Sequence, residues 1–139
     1  MSGILVDSNV ILDVFEDDPV WFEWSASTLE RYGHADTLYI NPVVYSEVSI
    51  GFSRIEDLEA ALTQAGFQYM PIPKEALFLA GKVFLRHRRR AGAKTSPLPD
   101  FYIGAHAAVD HLQLMTRDVA RFRTNYPTVK LISPRRQSR

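Results

Sequence analysis

The sequence contains no cysteine, which excludes disulfide bonds and thiolate metal ligands. Any metal site must therefore use oxygen or imidazole ligands. A long apolar run is also missing: the hydrophobic residues near the N-terminus end at Asp7, too early for a signal peptide or a membrane span. We therefore expect a cytoplasmic protein. No repeat or linker divides the 139 residues, so we expect one domain over residues 1–134 and a flexible basic tail at 135–139.

The net charge of zero hides an asymmetry between the two halves of the chain. Residues 1–70 carry twelve acidic and two basic side chains, whereas residues 71–139 carry four acidic and fourteen basic ones. A segregated charge of this kind is typical of proteins with a polyanionic or otherwise charged partner. The alternative is that chance and solvated helix faces produced the split.

Hydrophobic periodicity predicts strands that alternate with helices. Four short apolar runs have the character of strands, at residues 3–6, 37–40, 112–115 and 129–132, and the segments between them carry apolar residues at helical spacing. Capping signals predict helix starts at Asp18 and at Asn41-Pro42 and a helix end at Gly66. Such alternation predicts an α/β fold, with a central parallel sheet of four to five strands and helices on both faces.

Four carboxylates fall at one edge of this predicted sheet. Asp7 and Asp118 follow the first and third strands, Glu47 lies near the start of the helix after the second strand, and Asp100 begins the helix before the third. Ligands of open parallel sheets gather at the carboxyl ends of the strands, so we expect the four acids to share a site. Crowded carboxylates repel one another unless they are protonated or bind a cation, and oxygen ligands favour Mg²⁺ or Mn²⁺. A phosphodiester substrate fits such a metal site.

Each acid taken alone has a simpler structural role. Asp7 and Asp100 could be helix N-caps, and Asp118 could be a turn acid paired with Arg121. Glu47 lies among apolar neighbours, where an unpaired acid is costly. Only the joint placement of the four favours a shared site.

The motifs around these acids resemble those of PIN-domain nucleases. The matching segments, in order, are residues 7–13 (DSNVILD), 41–47 (NPVVYSE), 97–107 (PLPDFYIGAHA) and 114–118 (LMTRD), and the closing residues 121–134 are similar too. Each motif alone is weakly specific, but four motifs in the same order as in the family make a strong resemblance. A short chain without an appended domain looks most like the VapC toxins of toxin–antitoxin pairs.

This resemblance implies a PIN fold and an endoribonuclease that uses Mg²⁺ or Mn²⁺ to activate water and leaves a 5′-phosphate and a 3′-hydroxyl. It also implies a homodimer and inhibition by a VapB-like antitoxin. By position, the catalytic and metal-binding acids are Asp7, Glu47, Asp100 and Asp118. The polar residues that match supporting positions are Ser8, Asn9 and Thr116.

The sequence departs from the family pattern after the fourth acid. Some members carry a further acid there, whereas this chain offers Arg121, Arg123 and Asn125. A second tightly held metal is therefore not implied. Asp13 lies almost two helical turns beyond Asp7, and we expect it to be structural.

Basic side chains precede the Asp100 motif and are predicted to hold RNA phosphates without reading sequence; they are Arg86, Arg88, Arg89, Arg90 and Lys94. A solvated helix end is the alternative for this cluster. We expect His106 to face the helix packing or the rim of the site rather than to act as a general base. The aromatic residues of the acidic second helix, among them Trp21 and Trp24, are expected in the core more than at an interface.

Two other classes of protein share part of this pattern. Phosphatases of the haloacid dehalogenase or receiver type also place an acid after the first strand, but they need a second acid beside it, where this chain has Val6 and Asn9. A catalytically inactive PIN module that binds RNA or protein remains the alternative to the nuclease. Residues 92–95 (GAKT) lack the glycine spacing of a phosphate-binding loop.

Overall fold

The computed structural model describes residues 3–91 and 98–134, apart from the side chains of residues 90 and 91. Its centre is a five-stranded sheet in the order β3-β2-β1-β4-β5, with every neighbouring pair parallel. The strands are β1 (Ile4–Val6), β2 (Leu38–Ile40), β3 (Gln68–Tyr69), β4 (Gln113–Met115) and β5 (Leu131–Ile132).

Helices connect the strands. They are α1 (Ser8–Phe15), α2 (Phe22–Ala35), α3 (Pro42–Ser49), α4 (Ile55–Gln64), α5 (Lys74–Ala91), α6 (Leu98–Val109) and α7 (Val119–Arg123). The predicted α/β class, with a parallel sheet between helices, is confirmed. The short strand β3 was not predicted, because it has only two residues and both are exposed.

The three residues of β1 form the middle of the core. Ile4, Leu5 and Val6 are fully buried, and the strand is hydrogen-bonded to β2 on one side and to β4 on the other. A strand covered on both faces reads as a continuous apolar run, which is why this segment was recognisable from sequence.

The order of the strands reverses beside β1. The chain passes from β1 to β2 to β3 in one direction and then crosses to β4 on the opposite side of β1. Right-handed crossovers place the connections before and after this reversal on opposite faces of the sheet. The reversal creates a crevice at the carboxyl ends of β1 and β4, where the Asp7 N–H donates to Met115 O at 2.9 Å.

Two helix starts differ from the sequence prediction. The sequence predicted an N-cap at Asp18, but α2 begins at Phe22, because the Asp18 carboxylate accepts the N–H groups of Val20 and Trp21 and holds a turn before the helix. Helix α6 begins at Leu98, so Asp100 lies inside its first turn rather than at its cap. The predicted stop of α4 agrees with Gly66, whose φ of +87° suits glycine.

No helix in residues 3–91 and 98–134 is long and apolar enough to cross a membrane. The predicted tail at 135–139 lies outside the described residues, as does Lys94 of the predicted RNA-binding set.

Candidate active site

Asp7 lies at the strand reversal and is almost fully buried. Its Oδ1 accepts the Ser8 N–H at 2.8 Å, which caps α1, and its Oδ2 accepts the Thr116 hydroxyl at 2.8 Å. The side chain therefore performs the capping role that sequence alone allowed, and it also bonds to the end of β4. Only 1% of the residue is exposed.

The electrostatic environment disfavours the ionised form of Asp7. Burial is the main reason that its pKa is raised from 3.8 to about 6; the hydrogen bond from Thr116 opposes this effect, and the charges of Asp100 and Glu47 add to it. The carboxyl group is thus half-protonated at about pH 6, and an approaching positive charge would favour its ionised form.

Glu47 reaches the site from the last turn of α3, and not from near the helix start as the sequence predicted, because this helix ends after only eight residues. Its Oε1 accepts the Ser8 hydroxyl at 2.7 Å, so the residue after Asp7 links the first helix to the third. The start of α3 is fixed by Asn41, whose Oδ1 accepts the Val44 N–H at 2.9 Å, and by Pro42 at the first helical position.

Asp100 brings a third carboxylate from α6. Burial raises its pKa; Arg121 lowers it, and the charges of Glu47 and Asp118 raise it again. Its Oδ1 contacts Arg121 Nη1 at 3.3 Å. Its side chain is 6% exposed. These interactions place Asp100 within electrostatic reach of the other acids.

Asp118 is partly exposed and stands at the start of α7. Its Oδ2 contacts Arg121 Nε at 2.7 Å, and its backbone N–H donates to the Thr116 hydroxyl oxygen at 3.0 Å. The turn pairing with Arg121, considered from sequence as an alternative to a site role, is therefore present. The same arginine contacts Asp100, so it joins two of the four acids.

The structure brings all four predicted acids into one electrostatic group, since Asp7 is influenced by Asp100 and Glu47, and Asp100 by Glu47 and Asp118. In the part of the chain that the structure describes, no three acidic or histidine side chains form a ready-made metal cluster.

One oxygen atom of the group indicates what it could bind. Among the described residues, Asp100 Oδ2 is the buried side-chain oxygen or nitrogen that has no hydrogen-bond partner. Burying an unpaired carboxylate oxygen is costly, and a cation would relieve that cost together with the repulsion between the acids. Carboxylate oxygens are the ligands that Mg²⁺ and Mn²⁺ prefer, so the residues present fit a divalent cation.

The three predicted supporting residues all contact this site. Ser8 bonds Glu47, and Thr116 bonds both Asp7 and the Asp118 backbone. Asn9 accepts the Arg117 N–H through its Oδ1 at 3.4 Å, which ties α1 to the turn after β4. Their hydrogen bonds orient the acids and the turn that carries Asp118.

Asp13 has structural partners, as its spacing indicated. Its two oxygens contact Arg117 Nε and Nη2 at 2.7 and 2.9 Å, and Ser25 donates its hydroxyl to Oδ2 at 2.7 Å. The Arg117 guanidinium also lies 5.1 Å from the centre of the Trp21 ring. Trp24 packs against the core and edge-on to Trp21, so part of this aromatic surface is internal.

His106 is fully buried and belongs to a network behind the site. Its Nδ1 lies 3.1 Å from Asn41 Nδ2 and its Nε2 lies 3.0 Å from Asp110 Oδ2. Burial lowers the pKa of His106, while Asp110 acts in the opposite direction. A neutral ring that accepts from Asn41 and donates to Asp110 satisfies both contacts. The network joins α6 to the start of α3, and sequence reasoning missed it although Asp110 follows His106 by one helical turn.

The predicted RNA-binding residues lie toward the end of α5. Arg86, Arg88 and Arg89 are exposed, and the Arg88 guanidinium lies 5.9 Å from the Phe84 ring centre. Phe84 contacts Phe101, the neighbour of Asp100, with ring centroids 5.4 Å apart. The basic segment therefore borders the helix that carries Asp100. The side chain of Arg90 and all of Lys94 lie outside the described residues.

The fold and the site together define a class of protein. It is an α/β domain whose parallel sheet carries a group of carboxylates at the point where the strand order reverses. The PIN domain family matches residues 4–125, and the chain belongs to this family. The predicted resemblance to PIN domains is thereby confirmed. No curated protein sequence matches the chain significantly.

Several solved structures share the fold. The chain is similar to VapBC2 from Rickettsia felis bound to a promoter DNA fragment, with a TM-score of 0.71, 17% identity, and coverage of 96% of this chain and 98% of that one. The match to VapBC-1 from Haemophilus influenzae has a TM-score of 0.69 and 17% identity, and it covers 96% of this chain and 98% of that one. The match to FitAcB from Neisseria gonorrhoeae has a TM-score of 0.65 and 22% identity, and it covers 92% of this chain and 95% of that one. At these identities the likeness shows the fold alone.

Proposed function

We propose that the chain is a Mg²⁺- or Mn²⁺-dependent endoribonuclease and the toxin of a type II toxin–antitoxin pair. The observation that carries the proposal is the buried Asp100 Oδ2, which has no hydrogen-bond partner among residues 3–91 and 98–134 and lies inside a group of four acids at the strand reversal. Membership of the PIN family and the fold shared with the VapBC and FitAcB structures support the same class of activity.

The acids have different parts in this site. Asp7 and Asp100 are the buried ligands, and Glu47 and Asp118 complete the set from α3 and the turn after β4. Hydrogen bonds from Ser8 and Thr116 fix the carboxylates they contact. A bound divalent cation supplies a more acidic water and stabilises charge on the scissile phosphate.

The exposed arginines of α5 would hold the flanking phosphates of the RNA. Repulsion between an acidic site and a polyanion must be offset by nearby positive charge, and Arg86, Arg88 and Arg89 lie on the helix packed against α6. Contacts of this kind position the strand without reading its sequence.

Cleavage of a total RNA pool with Mg²⁺ or Mn²⁺ tests the proposal. We expect wild-type protein to cut RNA, EDTA to stop it, and Asp7→Asn and Asp100→Asn to reduce the rate by about a hundredfold or more. Asp57→Asn, on the exposed face of α4, is the matched control and should keep full activity.

Circular dichroism should confirm that each variant is folded. Undiminished cleavage by both folded site variants would contradict the proposal. No cleavage by any protein, wild type included, would favour the alternative of an inactive PIN module that binds RNA or protein.

A cognate antitoxin is the proposed protein partner. A groove of about 530 Å³ lies between α1, α2 and the segment before β3, lined by apolar residues such as Phe15, Leu29 and Phe67, with Glu30 and Asp36 also in its lining. An amphipathic helix with basic residues would complement this groove in shape and charge. We expect the product of an adjacent small gene to copurify with the chain and Leu29→Glu to weaken the complex. If Leu29→Glu bound the antitoxin with wild-type affinity, this groove would not be the antitoxin-binding site.

We also propose that the chain forms a homodimer. Leu77, Phe78 and Leu85 leave an exposed apolar stripe on α5, because residues seven or eight positions apart share one helix face. Light scattering should give twice the chain mass for wild type and a monomer for Phe78→Glu. A monomeric wild type would contradict the assignment.

A further inference from the structure

Arg121 occupies a position where a positive charge is needed. Its Nε lies 2.7 Å from Asp118 Oδ2, and its Nη1 lies 3.3 Å from Asp100 Oδ1. One guanidinium therefore neutralises two of the four proposed metal-binding acids. It also lowers the pKa of Asp100, whose burial and acidic neighbours act in the opposite direction.

The contact of Arg121 with Asp100 uses only one carboxylate oxygen. The other, Oδ2, is buried without a partner among the described residues, in a side chain that is 6% exposed. The guanidinium thus partly satisfies the demand for positive charge and leaves an inward oxygen free for a small cation.

The position of Arg121 also allows its guanidinium to move away from the two carboxylates. Its side chain is 41% exposed and projects from the five-residue helix α7, one turn from Asp118. Water can solvate the guanidinium as it swings away, so ion pairs of this exposure are weak and easily exchanged.

From these contacts we infer that Arg121 is a built-in competitor of the divalent cation at Asp100 and Asp118. This inference rests on the proposed metal site and adds its regulation. In the absence of metal, the arginine holds the two acids; a divalent cation must displace it, because two like charges at the same carboxylates repel each other strongly. Arg121 then sets the metal concentration at which the site fills.

Calorimetric titration of the metal-free full chain with Mn²⁺ tests the competition. We expect Arg121→Gln to lower the Kd for Mn²⁺ by about three- to thirtyfold, the range set by the loss of one or two partly exposed ion pairs. Arg121→Lys keeps the charge but cannot contact both acids at once, and its Kd should lie between those of wild type and Arg121→Gln.

Arg123→Gln is the matched control. Arg123 is exposed on the same short helix, and its substitution should leave the Kd within about twofold of wild type, as expected for a surface charge at greater distance. A tighter Kd in both variants would point to net charge alone and would overturn a specific role for Arg121.

A second measurement reports on the arginine itself. In wild-type protein the NMR signal of the Arg121 Nε–H should shift when Mg²⁺ is added, since its carboxylate acceptor is lost. Thermal unfolding should show a larger stabilisation by Mn²⁺ for Arg121→Gln than for wild type. An unchanged Arg121 signal at saturating Mg²⁺, or an equal or weaker Kd in Arg121→Gln, would overturn the inference.

These outcomes separate the inference from the proposed function. Metal binding that is equal in wild type and Arg121→Gln removes the competitor role but leaves the nuclease proposal intact. Tighter metal binding in Arg121→Gln without RNA cleavage by any protein supports the competitor and contradicts the nuclease. No Mn²⁺ binding by any of the proteins would overturn both.

Discussion

Thr116 donates its hydroxyl to Asp7 Oδ2 at 2.8 Å, and this contact joins residues 109 positions apart in the chain. The same hydroxyl oxygen accepts the Asp118 N–H at 3.0 Å. One small side chain at the end of β4 therefore orients the buried acid of β1 and the turn that carries Asp118. Its donated hydrogen bond favours the ionised form of Asp7, against the effect of burial.

Replacing Thr116 by valine should raise the pKa of Asp7 further above its present value of about 6, because the hydrogen bond that stabilises the carboxylate is lost. Thr116→Ser keeps the hydroxyl and should leave the pKa close to wild type. The ¹³C carboxyl signal of Asp7, followed by NMR against pH, measures both variants. A pKa that does not rise in Thr116→Val would show that the hydroxyl is not a significant stabiliser of the charge.

The stability of the metal-free protein should fall as pH rises from about 4 to about 6. Asp7 has an ordinary pKa of 3.8 when unfolded and about 6 when folded, so the folded state binds more protons in this window. Its favourable contribution is complete below about pH 4 and is lost as pH passes 6, a change of about 2–3 kcal/mol.

Urea unfolding in EDTA at several pH values measures that dependence. Asp7→Asn does not titrate, so its stability curve should be flatter than that of wild type, and at pH 7.5 the variant should be the more stable by about 1–3 kcal/mol. Parallel curves for the two proteins would contradict the raised pKa.

The pair of Asp13 and Arg117 should be a major source of stability. Asp13 is buried, and it bonds the guanidinium at two points. Removing either charge leaves the other poorly compensated, so Asp13→Asn and Arg117→Gln should each cost about 2–4 kcal/mol. Chemical unfolding of both single variants and the double variant forms a cycle, in which we expect a coupling of about 1–3 kcal/mol. Additive losses would mean that the contact contributes little by itself.

Glycine is required at position 104 by packing rather than by backbone conformation. A Cβ at Gly104 would overlap the ring of Tyr126, whose hydroxyl is anchored to Phe101 O at 2.8 Å. Gly104→Ala should therefore destabilise the protein by about 1–3 kcal/mol, measured by thermal unfolding. Gly81 in α5 has open space around its Cβ position, and Gly81→Ala should stabilise by about 0.5–1 kcal/mol. Equal effects at the two positions would refute the packing explanation.

RNA binding should depend on salt through the arginines of α5. With Asp100→Asn as a non-cleaving background, the further changes Arg86→Gln and Arg89→Gln should lower RNA affinity and reduce the slope of log K against log salt by about 1.4, or 0.7 for each lost phosphate contact on a single strand. Filter binding at several salt concentrations measures the slope. Arg54→Gln, on the acidic half, is the control and should leave it unchanged.

Local signals in the sequence predicted the sheet and the candidate acids because they act over short distances. The apolar run of β1, the cap at Asp7 and the Asn41-Pro42 start of α3 each depend on neighbouring residues. Strand β3 and the delayed start of α2 were missed because exposed residues and a side-chain turn at Asp18 decide them.

By itself, the sequence determined the order of four of the five strands and of the helices between them, the family resemblance, and the expectation that four acids share one edge, since period and spacing follow from the covalent chain. Only the tertiary structure decided how those acids are held. Thr116 meets Asp7, His106 joins Asn41 to Asp110, and Arg121 bridges Asp100 and Asp118. The contacts of Thr116 with Asp7, of His106 with Asn41 and of Arg121 with Asp100 join segments far apart in sequence, where packing of the sheet and helices fixes distances that no local pattern records.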